Sequence, residues 1–366
     1  MNRLVTDVKR AGFMASPDVR TDVKVCAKPS STDPMFEMLI AAQVFEGASA
    51  YGGGTGVGAL PDYPTLPTVV TTVNARNPDR LRIAGNFATS ESFKLGNVDR
   101  SGRKLAIEVD QLAVQRIFRD EIEAGTQGPN FCTFFPVGSI AHVVDTGGTS
   151  RYFPVEACSA PHNTDSPPTN YLTIIITAAT FPDGPGCAEP TGGYINPVNV
   201  IDYTPIRLSD PTEAQEHGLG PVLATLMDQD AAMAGVTGDA SRMALLRREL
   251  RADGTAQNGQ IVSDFLADLN FSAQAADNPL TPGALTFYDF DGVGGVEPNR
   301  VRSLGIRLST RARFPDREED QPVAANQPLK RFQVFDATAT NRFRFARVRT
   351  FFTEATISNL QGVVPW

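Results

Sequence analysis

Cys26, Cys132, Cys158 and Cys187 are the four cysteines of this chain, and they lie too far apart for a CxxC redox or zinc pattern. An oxidising compartment would pair them, whereas a reducing one would leave them as buried thiols. The three histidines, His142, His162 and His217, stand in unrelated contexts. There is no HExxH and no His pair at i, i+4, so no metal triad is read from them. A Gly-x-Ser-x-Gly elbow is also missing, and bridges explain the cysteines better than a Cys–His nucleophile does. No site for an enzyme emerges, and the chain is expected not to be one. One segment could hold an ion. Asp289, Asp291 and Glu297 surround Gly292, Gly294 and Gly295 in the oxygen-rich kind of turn that calcium favours. Its glycine falls at the fourth rather than the sixth position of an EF-hand loop and no twelfth-position Glu follows, so a plain Asp/Gly hairpin turn competes with a weak calcium site. No other cofactor is expected.

Composition bounds the rest. A hydrophobic content of 41% over 366 residues is enough for one large core or two smaller ones. The net charge of -8 argues against a general nucleic-acid binder. Arg342, Arg344, Arg347 and Arg349 are a local exception, read as a solvated strand face that resists edge-to-edge pairing. No apolar run approaches the roughly 18 to 20 residues of a membrane span. The glycine-rich run from Gly52 to Gly58 lacks the strand, helix and Lys of a phosphate loop and reads as a surface excursion.

The elements that must position these residues are mostly strands. Leu304, Ile306 and Leu308 alternate with Gly305, Arg307 and Ser309, which gives one face to a core and the other to water. Residues 342–360 answer as a second strand. Asn77 to Phe87 reads as a turn feeding a strand, Lys104 to Val109 as another strand, and Val114 to Glu123 as a short helix. Val137 to Asp145 and Arg151 to Cys158 flank Thr146-Gly147-Gly148-Thr149 as a hairpin, with Tyr171 to Ala178 as a third strand. That meander puts Cys132 and Cys158 at one end, so Cys132 is expected to pair with Cys158 and Cys26 with Cys187. Val198 to Arg207 is a further strand. Ser159 to Pro168 and Phe181 to Gly193 are dense in Pro, Gly and Asp and read as loops. Between Ala231 and Leu250 propensity favours a helix with Met243, Leu246 and Leu250 as its stripe. At the start, Leu4, Val8 and Ala11 share one helical stripe while Arg3, Asp7 and Arg10 face elsewhere, and Gly12 stops the helix.

Both ends of the chain resemble one family. Leu4 to Phe13 is similar to the Leu-x-x-Asp-(Val/Ile)-(Lys/Arg)-x-Ala-Gly-(Phe/Tyr) sequence that closes the long N-terminal helix of PilW-type minor pilins of type IV pili, relatives of the J-type pseudopilins of type II secretion. Arg342 to Leu360 resembles the family's Arg-rich strand, Thr-rich strand and Asn-Leu ending. Asp79 to Ile83 echoes its Asp-x-Leu-x-Ile strand, and Tyr288 to Arg302 its acidic loop and Asn-Arg-Val-Arg strand. In the family Leu245 to Leu250 would be a strand leading to a second one like Ile261 to Phe271, against the helical propensity; that segment stays open.

The resemblance implies an α+β, pilin-like fold. Residues 1–13 would be the end of the N-terminal helix, docked through Leu4, Val8 and Ala11 on antiparallel sheet. Residues 14–366 would be one globular head, with surface insertions near 47–67 and 159–193. The chain looks like a head whose membrane anchor has been removed, and so soluble by itself. The implied function is a minor pilin that primes assembly of a type IV pilus and enters it at or near the tip, serving adhesion and twitching motility. The full-length form would sit in the inner membrane and periplasm through the absent helix, then on the cell-surface pilus. Its implied partners are other minor pilins and a tip adhesin, with no specific nucleic acid. The alternatives are a type II secretion pseudopilin, or a secreted calcium-dependent adhesin or hydrolase.

Overall fold

The computed structural model describes residues 1–45, 78–108, 111–117, 131–162, 173–181, 183–184, 186–207, 242–276, 285–289, 298–313, 317–318, 331–334 and 344–360. The described chain is α+β with strands dominant, and its strands form two sheets. The first, 11-stranded sheet holds β1 (Val25–Ala27), β2 (Ala42–Phe45), β3 (Arg80–Gly85), β4 (Phe93–Asp99), β5 (Lys104–Glu108), β6 (Ile140–Val144), β7 (Ser150–His162), β8 (Thr173–Ala178), β9 (Tyr194–Arg207), β10 (Met243–Leu250) and β11 (Ala256–Asp264). Apart from the parallel β1–β7 pair its strands run antiparallel. β9 is its spine, pairing β3 and β10 at one end and β4 and β6 at the other.

The second, 6-stranded sheet holds β12 (Leu266–Ala276), β13 (Leu285–Asp289), β14 (Val301–Arg311), β15 (Arg317–Glu318), β16 (Arg331–Val334) and β17 (Arg344–Thr356). β14 and β17 pair antiparallel from Ser303 with Thr356 to Arg311 with Val348. The alternation read in the sequence decides which face they bury: Leu304, Ile306 and Leu308 are in the core, and Arg307 is exposed.

Three local expectations change, and the segment left open at Leu245 to Leu250 is a strand. Ile261 to Phe271 is one strand in the sequence reading, but Phe265 takes φ +53° and splits it into β11 of one sheet and β12 of the other. Met243 to Leu250, which propensity reads as helix, is β10. It pairs with β9 on one side and β11 on the other, and nearly every side chain is buried, so packing on both faces overrides propensity. The helix expected at Val114 begins earlier, with 112–117 helical; its remainder lies outside the described residues, as do 231–241 and the 47–67 excursion. Within 159–193, β7 extends through His162 and β8 crosses the middle, while Asp183 and Cys187 tie the later loop back to Arg151 and Cys26.

Buried apolar side chains form three clusters. One, with Phe93, Phe131, Phe135, Phe153 and Ile176, is built from β4 to β9 and the short helix Phe131–Phe134. Another packs Met35, Met38 and Leu39 against β6, β7 and β9. The largest draws on both sheets at once and receives the N-terminal helix.

Candidate assembly site around the N-terminal helix

The N-terminal helix α1 (Asn2–Lys9) is too short to be stable alone and owes its shape to its seat. Leu4, Val8 and Ala11 are each 0% exposed. They pack among Leu81 and Ile83 of β3, Tyr203 of β9, Leu245 of β10, Ile306 of β14 and Ala355 of β17, so both sheets grip the helix.

Asp7 does not face away, as the stripe reading has it. It is 4% exposed, and its Oδ2 accepts from the Tyr203 hydroxyl at 2.8 Å and from Arg247 Nε at 2.6 Å. Arg3, one turn earlier, lies 3.5 Å from Oδ1. The physical reason is position: three residues after Leu4 and four before Ala11, Asp7 borders the apolar stripe and is carried into the contact with it. Burial pushes the Tyr203 hydroxyl above its ordinary pKa, and the charge of Asp7 adds to this. Burial alone would lower Arg247, but its bond to Asp7 and the carboxylate charge outweigh that and raise it. The group is therefore a buried carboxylate–guanidinium pair with a phenol donor, an arrangement in which removing one member strands the other.

The C-terminal end of α1 is sealed by backbone. Gly12 has φ +71°, donates its N–H to Ala84 O at 2.8 Å, and sits where a Cβ would meet Leu360 Cδ2 at 2.9 Å. Opposite it, a Cβ on Gly85 would lie 2.7 Å from Arg10 O. Asn359 Nδ2 donates to Lys9 O and Ala11 O, each at 3.3 Å, capping helix carbonyls from the far end of the chain. Arg10 is also drawn in, donating to Phe87 O and Thr89 O. At the N-terminal end, Met1, Asn2 and Arg3 line an open groove of about 540 Å³ with Gln260, Ile261 and Val262 of β11.

Past the helix the chain is latched by buried polar contacts. Met14 has φ +53°, and its carbonyl accepts from His142 Nδ1 at 2.8 Å. The other ring nitrogen then accepts from Ser150 Oγ at 3.0 Å, and the ring stacks on Tyr152. The Tyr152 hydroxyl accepts from Ser16 N at 2.6 Å. Burial pushes the His142 imidazole down to about 4. A second cluster lies under β3. Burial would raise the Asp202 carboxyl, but the charges of Arg80, Arg248 and Arg82 outweigh it and hold it at about 2. Arg80 and Arg248 donate to it at 2.6 and 2.9 Å, and Phe45 lies against both Arg80 and Arg82. Sequence reasoning missed these arginines because charged residues are almost never buried unless paired, and their partner Asp202 lies 122 residues from Arg80 and 46 from Arg248.

The other sequence-derived sites fall elsewhere. Cys26 and Cys187 form one disulfide, Cys132 and Cys158 the other, which is the pairing expected from the meander. Cys158 packs against the phenylalanine cluster, and Cys26 joins β1 to the loop after β8. Asp289 ends β13, opposite Ser272, while Asp291 and Glu297 lie outside the described residues, as does Arg342. Among the described residues no group of His, Cys, Asp and Glu is arranged to hold a metal, and no helix is long and apolar enough to cross a membrane. Comparison with protein-family models, with curated proteins and with solved structures finds no match.

Proposed function

We propose that this chain is the globular head of a PilW-type minor pilin, a subunit that primes type IV pilus assembly and is incorporated at or near the tip. The observation that carries the reading is the seat of α1: an apolar stripe, an ion-paired Asp7 and a cap from Asn359 make the helix an integral core element gripped by both sheets. A head built this way is rigidly oriented on any stalk that continues the helix. The resemblance at both chain ends supplies the family, and two disulfides suit passage through an oxidising compartment. In this reading the full-length protein is held in the inner membrane by the family's apolar helix, works with other minor pilins and a tip adhesin, and leaves on the cell-surface pilus. The test is piliation in a strain with no redundant minor-pilin cluster. Cells that make only the head, without its membrane helix, should assemble no pili although the head folds. Normal piliation in those cells rules out the assembly role.

A further inference from the structure

Met14 is a methionine in a place that does not suit one. Its φ of +53° belongs to the left-handed region, where glycine and asparagine are at home. Its sulfur does not lie in a wholly apolar surround either. Asn86 Nδ2 donates to Sδ at 3.5 Å and Ser92 Oγ donates to it at 3.8 Å, so two polar donors converge on one thioether. A thioether is a weak acceptor, and a methionine that merely fills a gap in a core lies among apolar and aromatic groups instead.

Asn86 decides what the arrangement favours. It is 0% exposed, and its Oδ1 accepts from Thr89 N at 3.0 Å, which fixes Nδ2 as the end that meets the sulfur. Among the described residues Nδ2 has no other acceptor. A fully buried amide donor is thus given a poor acceptor, and a better one in the same place would recover the loss. An oxygen on the sulfur is such an acceptor. Both donors stand farther from Sδ than the roughly 2.7 to 3.0 Å of a hydrogen bond to oxygen, which leaves room for one atom bonded to the sulfur and facing them.

We propose that Met14 is a reversible oxidation site whose sulfoxide the fold is built to hold. A peroxide supplies the oxygen. The sulfur lone pair attacks one peroxide oxygen, the O–O bond breaks, the sulfur loses two electrons, and the other oxygen of hydrogen peroxide leaves as water. A dithiol reductant reverses the step, releasing the sulfoxide oxygen as water while its own thiols close to a disulfide. Met14 is half-buried and within reach of so small an oxidant, whereas Met35, Met38 and Met243 are buried. In the sulfoxide, Asn86 Nδ2 and Ser92 Oγ donate to the new oxygen, and two fixed donors favour one of the two epimers. Methionine oxidation ordinarily loosens a fold. Here it ties the residues after α1 more firmly to the turn that follows β3, where Asn86 N already donates to Phe13 O at 2.8 Å.

Mild hydrogen peroxide treatment of the 366-residue chain, followed by peptide mapping and a melting curve, tests this. Met14→Leu, oxidised in parallel, accounts for every other methionine. The expected result is a Met14 sulfoxide of one epimer, restored by only one of the two stereospecific methionine sulfoxide reductases. Relative to the Met14→Leu control, the melting temperature should rise by about 2 °C on oxidation. Ser92→Ala should lose about half of that rise while leaving the reduced protein's melting temperature unchanged. If Met14→Leu does not fold, the melting temperature before and after enzymatic repair of Met14 decides instead. A sulfoxide in both epimers, a melting temperature that stays or falls when Met14 is oxidised, or a Met14 that remains a thioether in the folded chain overturns the proposal.

Discussion

The phenylalanine-lined end of the large sheet and the cluster around α1 solve the same burial problem with different materials. The first is nearly local in sequence: its buried members run from Phe93 to Ile195, and the Cys132–Cys158 bridge closes across it. The second gathers residues from Leu4 to Leu360 across both sheets and has no bridge among the described residues; an eight-residue helix and buried ion pairs do the joining. The difference teaches where the molecule is vulnerable. A covalently closed local cluster survives the loss of distant contacts, while a cluster assembled from the whole chain fails when its one central element is dislodged.

The sharpest way to break this contrast is Val8→Asp or Leu4→Asp. An unpaired carboxylate in the α1 seat should destabilise by about 5 kcal/mol, and hydrogen exchange should show β12, β14 and β17 deprotected before β5 to β8. Uniform loss of protection would mean the two regions are one cooperative unit. Next comes Asp7→Ala, which leaves Arg247 buried without its carboxylate and should lower the urea midpoint by the equivalent of about 4 kcal/mol. The double variant Asp7→Ala with Arg247→Met should recover part of that loss; no recovery would show that the pair is not what seats the helix. Reducing the disulfides should remove about 3 kcal/mol per bridge, and its effect should fall on the stapled end rather than on α1. If β17 loses protection first instead, the assignment of roles is reversed.

A smaller effect comes from pH. The folded His142 titrates near 4, below its ordinary 6.5, so the unfolded chain takes up this proton first as pH falls. Stability is then complete above about 6.5 and declines towards 4, by about 3 kcal/mol at most. Below that window the paired Asp202, held at about 2 against an ordinary 3.8, takes over the loss. A His142→Gln variant should show a flatter melting temperature between pH 6.5 and 4, and an unchanged slope would assign the decline to other groups.

Much of the frame was legible because it is periodic. The alternation through Leu304, Ile306 and Leu308, the hairpin turn at Thr146 to Thr149 and the stripe of Leu4, Val8 and Ala11 each depend on near neighbours, and each is where the pattern puts it. What periodicity cannot carry is partnership at a distance. Asp7 meets Tyr203 and Arg247 only after folding, 196 and 240 residues along the chain. The same holds for Arg80 with Asp202, and for β10, whose leucine-rich run reads as helix until a strand lies on each side of it. Phe265 was hidden for another reason: nothing in its type announces a left-handed backbone, and only the change of sheet demands one.

The cap that Asn359 places on Lys9 and Ala11 spans 350 and 348 residues. A chain emerging from the ribosome, or from a translocation pore, delivers α1 about 350 residues before the cap for that helix. Until β17 has been delivered, Leu4 and Val8 have no complete surface to bury against, so α1 is synthesised well before it can be locked. Such dominance of long-range contacts makes for slow folding, with an apolar stripe exposed meanwhile. The architecture thus places a waiting period in the life of every molecule, during which a holding chaperone, or slow delivery matched to folding, keeps the unfinished protein from aggregating.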